Sequence, residues 1–323
     1  MLNFYPTNGL NSITGYGKME LGISRAFHRL GVDFTVWPNP AYPTLIVGNP
    51  LWHVAPHIEG HRLWLYTMNE TNQVGQSWVD AINAHYERVF VPAEPMVKVF
   101  KDSGVIIPVH FVPLGIDWYP PDYKPRNFSK PFTFLTYSLG DMRKGAELAM
   151  MAFNRVFGDN PEYKLVIKCR ENFAIFNNCI NENIEVVGGH ITEWEWHELL
   201  YNSHAFIFPS KGEGYGLPPR EAVLSGLPTV ATQWLGMWDA DRWGLPLGIE
   251  KFQKAVFDRY EANAEGAMWA IPGKLQIDDY MQWIVKNYDE ALAIAAKGNA
   301  YLRSQFTWEQ TAQSILSHLE KVR

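Results

Sequence analysis

Residues 205–232 constrain the fold of this chain more than any other stretch. They begin with a short apolar run, Ala205 to Phe208, of strand length. Pro209 closes the run, and a loop carrying Gly212, Gly214 and Gly216 follows. Pro218 and Pro219 suit the first turn of a helix, where a missing N–H costs nothing. The spacing predicts a helix through Glu221 to Leu224, a stop at Gly226, and a further strand over Leu227–Thr232. Strand, glycine loop, helix and strand make the parallel crossover of an α/β fold. Ligands of open α/β sheets sit at the carboxyl ends of the strands, so Glu213 in the loop and Glu221 on the helix would face one crevice. The helix start adds unpaired N–H groups and a partial positive charge, which suit a diphosphate. By spacing alone, such a pair is more often a solvated loop glutamate and a surface helix glutamate, and it is the surrounding motif that points to a site.

Phe208-Pro209-Ser210, Glu213-Gly214-Tyr215-Gly216-Leu217-Pro218, Glu221-Ala222 and Gly226-Leu227-Pro228 together resemble the nucleotide-sugar motif of retaining glycosyltransferases. The resemblance is to the family-four group of the GT-B fold. It implies an α/β architecture of two Rossmann-like, doubly wound domains facing a cleft. It also implies that Glu213 contacts hydroxyls of the donor sugar and that Glu221 holds the ribose. The backbone of Gly214, Tyr215, Gly216 and Leu217 would line the sugar and phosphate pocket. Lys144-Gly145 matches a Lys-Gly pair that binds the donor diphosphate in that family. The family's arginine, five residues before this lysine, is Leu139 here, which makes Arg143 its substitute. Many relatives carry a sugar-contacting histidine near the end of the fourth strand. Met68-Asn69-Glu70 stands there instead, and Glu70 becomes the candidate acceptor contact.

The rest of the chain reads as alternating strands and helices. Leu2–Tyr5, Phe34–Trp37, Thr44–Gly48, Arg62–Met68, Arg88–Val91 and Val109–Val112 are expected strands. Helices are expected over about Met19–Leu30, Gln76–His85 and Met96–Ser103. Between the first strand and first helix lies a loop with Gly9, Gly15 and Gly17, a place where backbone can approach a ligand. The resemblance puts this loop, Thr14-Gly15-Tyr16-Gly17-Lys18, near the donor diphosphate and the acceptor, with Gly15, Tyr16 and Gly17 as the candidate contacts. Pro120, Pro121, Pro125 and Pro131 mark a linker at 118–131 between an acceptor-side domain, 1–117, and a nucleotide-sugar domain, 132–303. Arg143 and Lys144 open a helix, Ala146–Phe157, as a guanidinium fork and an ammonium point charge for phosphate. Lys168 and Arg170, ending the strand Lys164–Lys168, overhang the same crevice. In relatives the loop matching Val187-Gly188-Gly189-His190 packs against the base, which makes Gly188 a donor contact. Helical spacing runs over Ile277–Ala296 and Trp308–Val322, and the fold implies that the last helix, about 304–323, returns to the first domain.

Apolar content of 47% over 323 residues leaves ample core for two domains, and a net charge of −6 gives no basic footprint for nucleic acid. Cys169 and Cys179 have no partner at zinc spacing and read as buried thiols in a reducing compartment. With no signal peptide and no apolar run of membrane length, a cytoplasmic protein is expected. Asp239 and Asp241 mimic an Asp-x-Asp metal motif. Helix termini and basic residues neutralise the leaving group in the GT-B group, so neither metal nor cofactor is expected beyond the nucleotide-sugar co-substrate. A carbohydrate acceptor is expected; a hydroxymethylated base in DNA is the alternative. A phosphorylase of the same fold would need a pyridoxal-phosphate lysine motif, and none is evident. A non-catalytic sugar-binding protein is the reading from another class.

Overall fold

The computed structural model describes residues 2–7, 10, 14–35, 39–51, 60–117, 127–171, 181–256 and 265–320. Gly9, Trp37, Cys179, Val322 and the linker prolines Pro120, Pro121 and Pro125 lie outside them.

Two six-stranded, wholly parallel sheets organise the chain. The first joins β1 (Leu2–Tyr5), β2 (Phe34–Thr35), β3 (Thr44–Val47), β4 (Leu63–Tyr66), β5 (Tyr86–Val91) and β6 (Val109–Phe111) in the order β2-β1-β3-β4-β5-β6. Its helices are α1 (Gly15–Arg29), α2 (Gln76–His85) and α3 (Glu94–Asp102). The second sheet uses β7 (Phe132–Ser138), β8 (Tyr163–Cys169), β9 (Ile184–Gly188), β10 (Ala205–Phe208), β11 (Thr229–Thr232) and β12 (Leu245–Leu247), in the order β12-β11-β10-β7-β8-β9. Around it lie α4 (Ala146–Val156), α5 (Glu193–Tyr201), α6 (Leu217–Leu224) and α7 (Ala240–Trp243). In each sheet the strand order reverses beside the first strand, between β1 and β3 and between β7 and β10, which is where open α/β sheets bind ligands.

Both sheets are covered on both faces, and the period of two in their strands divides the core. Leu45, Val47, Trp64 and Tyr66 share one apolar cluster with Phe206 and Phe208, whereas Ile46, Leu63 and Leu65 pack behind the first sheet. Phe132, Phe134, Ala205 and Ile207 pack behind the second.

Three stretches differ from their sequence-based expectation. Helix α1 starts at Gly15, not near Met19, because the Thr14 side chain accepts from the Gly17 amide and caps the helix there. Gly15, Tyr16 and Gly17 are thus its first turn rather than a loop. The single helix expected over Ile277–Ala296 is two, α8 (Lys274–Lys286) and α9 (Tyr288–Gln305), because Asn287 at φ −126°, ψ 45° leaves helical geometry. A hairpin the periodicity did not reveal, β13 (Ile249–Lys254) and β14 (Met268–Pro272), follows β12.

The last described helix, α10 (Trp308–Glu320), lies on the first domain. Trp308 packs where a Cβ on Gly22 or Gly115 would collide with it, and its Nε1 donates to Asp117 at 3.0 Å. Among the described residues no helix is long and apolar enough to cross a membrane.

Candidate active site

The loops after β4 and β10 bring the two sheets into contact. A Cβ on Gly212 would stand 2.1 Å from the Glu70 carbonyl oxygen, and one on Gly214 would stand 2.1 Å from the Met68 sulfur. Only glycine allows so close an approach. Along this junction opens a cleft of about 1510 Å³, lined by Gly15, Tyr16, Lys18 and Glu70 on one side and by Arg143, Lys144, Glu213 and Glu221 on the other.

Glu213 is buried at 4% exposure. Lys144 Nζ donates to its two oxygens at 2.7 and 2.9 Å, Ser210 Oγ at 2.7 Å and Arg143 Nη1 at 3.3 Å. Burial opposes the carboxylate charge, but Lys144 and Arg143 outweigh it and hold the group below the ordinary glutamate range. Arg143 also donates to the Gly212 carbonyl at 2.7 Å and pairs with Glu70 at 3.1 Å. For Glu70 burial prevails and pushes the carboxyl up, with Arg143 and Lys144 offsetting only part of it.

Glu221 accepts from Lys18 Nζ at 2.8 Å and from the Trp196 indole at 2.8 Å. Burial again opposes the charge, Lys18 again outweighs it, and the carboxyl is held low. The Lys18 ammonium is raised in turn, because Glu221 overcomes its own desolvation.

The other expected residues fall as follows. Gly214, Tyr215, Gly216 and Leu217 line the cleft, with Gly216 capping α6. Tyr16 lines it too, and its hydroxyl lies 3.2 Å from Thr67 Oγ1. Lys168 reaches the cleft, but its ammonium donates to the carbonyls of Val187 and Gly189. Its charge is therefore shared with the backbone at the carboxyl end of β9. Gly189 rather than Gly188 lines the wall, since Gly188 is still the last residue of β9. Asp239 does not face the cleft: both its oxygens accept from Arg220, at 2.6 and 3.1 Å, while Asp241 accepts from Gln233. Sequence reasoning placed Lys18 only within the loop near the donor and acceptor, without a partner, and gave no role to Trp196 or Ser210. Ser210 stood in the quoted motif and Lys18 in the glycine turn. Trp196 gave no local signal.

A family model described as "Family 4 Glycosyltransferase in conflict systems" matches residues 98–315. The chain belongs to this family. That family is one of family-four glycosyltransferases, the group this chain's motif resembled. Serotype-specific mannosyltransferase WbdA of Escherichia coli is 25% identical over 199 residues, which are 58% of this chain and 21% of that protein. The chain thus spans about a fifth of the length of the curated relatives it matches. Among solved structures, TarM superposes with a TM-score of 0.64 at 14% identity, over 93% of this chain and 57% of TarM. A UDP-forming α,α-trehalose-phosphate synthase of Burkholderia xenovorans gives 0.65 at 12% identity, over 94% of this chain and 78% of that one. At such identities the likeness is one of fold, and that fold is GT-B.

Proposed function

We propose that this glycosyltransferase moves a sugar from a nucleoside diphosphate sugar to a carbohydrate hydroxyl with retention of configuration. The observation that carries the reading is the buried Glu213 carboxylate, held by Lys144 and Arg143 in the same cleft as Glu221. In this reading the bond from the sugar C1 to the phosphate oxygen breaks as the acceptor oxygen bonds to C1 on the same face. The acceptor proton passes to the departing phosphate. Lys144, Arg143 and the start of α6 stabilise the charge that develops on that leaving group. Glu213 orients the sugar hydroxyls, Glu221 holds the ribose, and Glu70 with the first turn of α1 meets the acceptor. Residues 1–117 with α10 form the acceptor side, and 132–303 the donor side.

Two further cations of the cleft are matched by acids, Lys211 by Glu147 at 2.6 Å and Arg170 by Glu171 at 2.8 Å, and Lys168 is engaged by backbone carbonyls. This partial matching, with a net charge of −6, favours a carbohydrate over a polyanion such as DNA. The WbdA relatives are mannosyltransferases, which puts mannosyl donors first in any screen. The free, buried thiol of Cys169 suits a cytoplasmic protein.

The test is binding and slow hydrolysis of UDP-, GDP-, ADP- and dTDP-sugars by the wild type, Glu213→Ala and Glu221→Ala. One donor should bind selectively, more weakly in Glu221→Ala, and its hydrolysis should fall by about 10²-fold or more in Glu213→Ala. If no donor binds and neither substitution matters, a non-catalytic sugar-binding protein takes its place.

A further inference from the structure

Behind the Glu213 loop lies a charge pair that the catalytic reading leaves unused. Arg220 sits in α6 at 0% exposure and Asp239 at 1%. A guanidinium taken wholly out of water is costly unless its donors are matched. Here they are. Besides Asp239, Nε donates to the Tyr215 carbonyl and Nη2 to the Gly236 carbonyl, each at 3.2 Å. The rings of Tyr215, Trp243, Phe306 and Trp238 stand around the guanidinium carbon, at 4.3, 5.1, 5.2 and 5.6 Å.

What the fork holds is the backbone that carries Glu213. Tyr215 follows Glu213 by two residues, and the Gly236 amide donates to the Glu213 carbonyl at 3.1 Å. The approach is close enough that a Cβ on Gly236 would stand 2.4 Å from that oxygen. The same unit grips the first domain twice. Tyr215 Oη donates to the Leu114 carbonyl at 2.7 Å. Leu235, buried at 3% exposure with φ 47°, packs in the cluster of Val91, Met96 and Phe100 behind the first sheet.

A leucine at 220 would fill the aromatic space but could donate to neither carbonyl. From this geometry we infer that Arg220 and Asp239 are positioning residues, which set the Glu213–Gly216 backbone for sugar transfer and lock it to the first domain. The inference rests on the donor site proposed above.

The experiment uses the whole chain and the donor that the wild type hydrolyses. Arg220→Met combined with Asp239→Leu keeps the volume and removes both charges, an exchange that buried ion pairs often tolerate without loss of stability. Asp239→Asn is the isosteric second variant. Three quantities are read: the thermal midpoint, kcat for the sugar donor, and Kd for the matching nucleoside diphosphate, which lacks the sugar. Positioning predicts a folded protein whose kcat falls by about tenfold or more, with Kd held within about threefold. Unchanged kcat, kcat and Kd failing in parallel, or neither variant folding would each overturn it. A wild type that neither binds nor hydrolyses any donor removes the donor-site reading itself, and is told apart because it needs no variant.

Discussion

Glu213 and Glu221 lie on one loop-and-helix unit, both buried and both held below the ordinary glutamate range, yet the cations beside them come from different places. Lys144, Arg143 and Ser210 all belong to the second domain, so the Glu213 site is assembled within one folding unit. Glu221 takes its indole donor from α5 but its ammonium from Lys18, 203 residues away in the first domain. The comparison separates a preset site from a conditional one. The cations at Glu213 travel with the second domain, though Arg143 also pairs with Glu70 across the junction, whereas the Lys18 pairing at Glu221 exists only while the two domains stand together.

Substitution of the two lysines is the strongest way to break that comparison. Lys144→Met should lower kcat on the preferred donor by about 10²–10³, the usual cost of removing a charge-stabilising donor. Lys18→Met should change kcat by less than about tenfold and act mainly on donor affinity. Equal losses in kcat would show that both sites depend on the domain interface.

Acid titration gives a smaller effect with a definite sign. The folded Glu221 carboxyl is held low because Lys18 outweighs its burial. Its stabilisation is therefore full above the ordinary glutamate range and is lost as pH falls through that range and below it. Lys18→Met removes this part, so its thermal midpoint should fall less steeply on acidification than that of the wild type. Identical slopes would mean that Lys18 adds nothing to the folded state. Smaller again is Thr14→Ala, which strips the cap from the helix that carries Lys18. It should cost about 1 kcal/mol in chemical denaturation and leave kcat unchanged with donor in excess.

How much of this was legible in the sequence depended on range. The β10–α6 unit showed itself because proline, glycine and apolar residues act locally; the motif then singled out Glu213 and Glu221, and the separate Lys-Gly match singled out Lys144. Arg143, inferred only as a substitute, does stand beside Glu213. The partners of Glu221 were not legible, since nothing near Lys18 or Trp196 signals a contact made across the tertiary fold. The β13–β14 hairpin escaped because every residue of β13 is exposed, so no alternation of apolar and polar marks it as a strand. Asn287 hid the break between α8 and α9, because the apolar spacing on either side stays close to helical.

The seat of Trp308 on α1 has a consequence for synthesis. Gly22 and Gly115, the positions it covers, leave the ribosome early, and Trp308 leaves only after the whole second sheet has been made. Domains generally fold as units from the N-terminus during translation. The first domain therefore takes its last packing layer from a segment made after the whole second sheet, so the domain begun first is closed last.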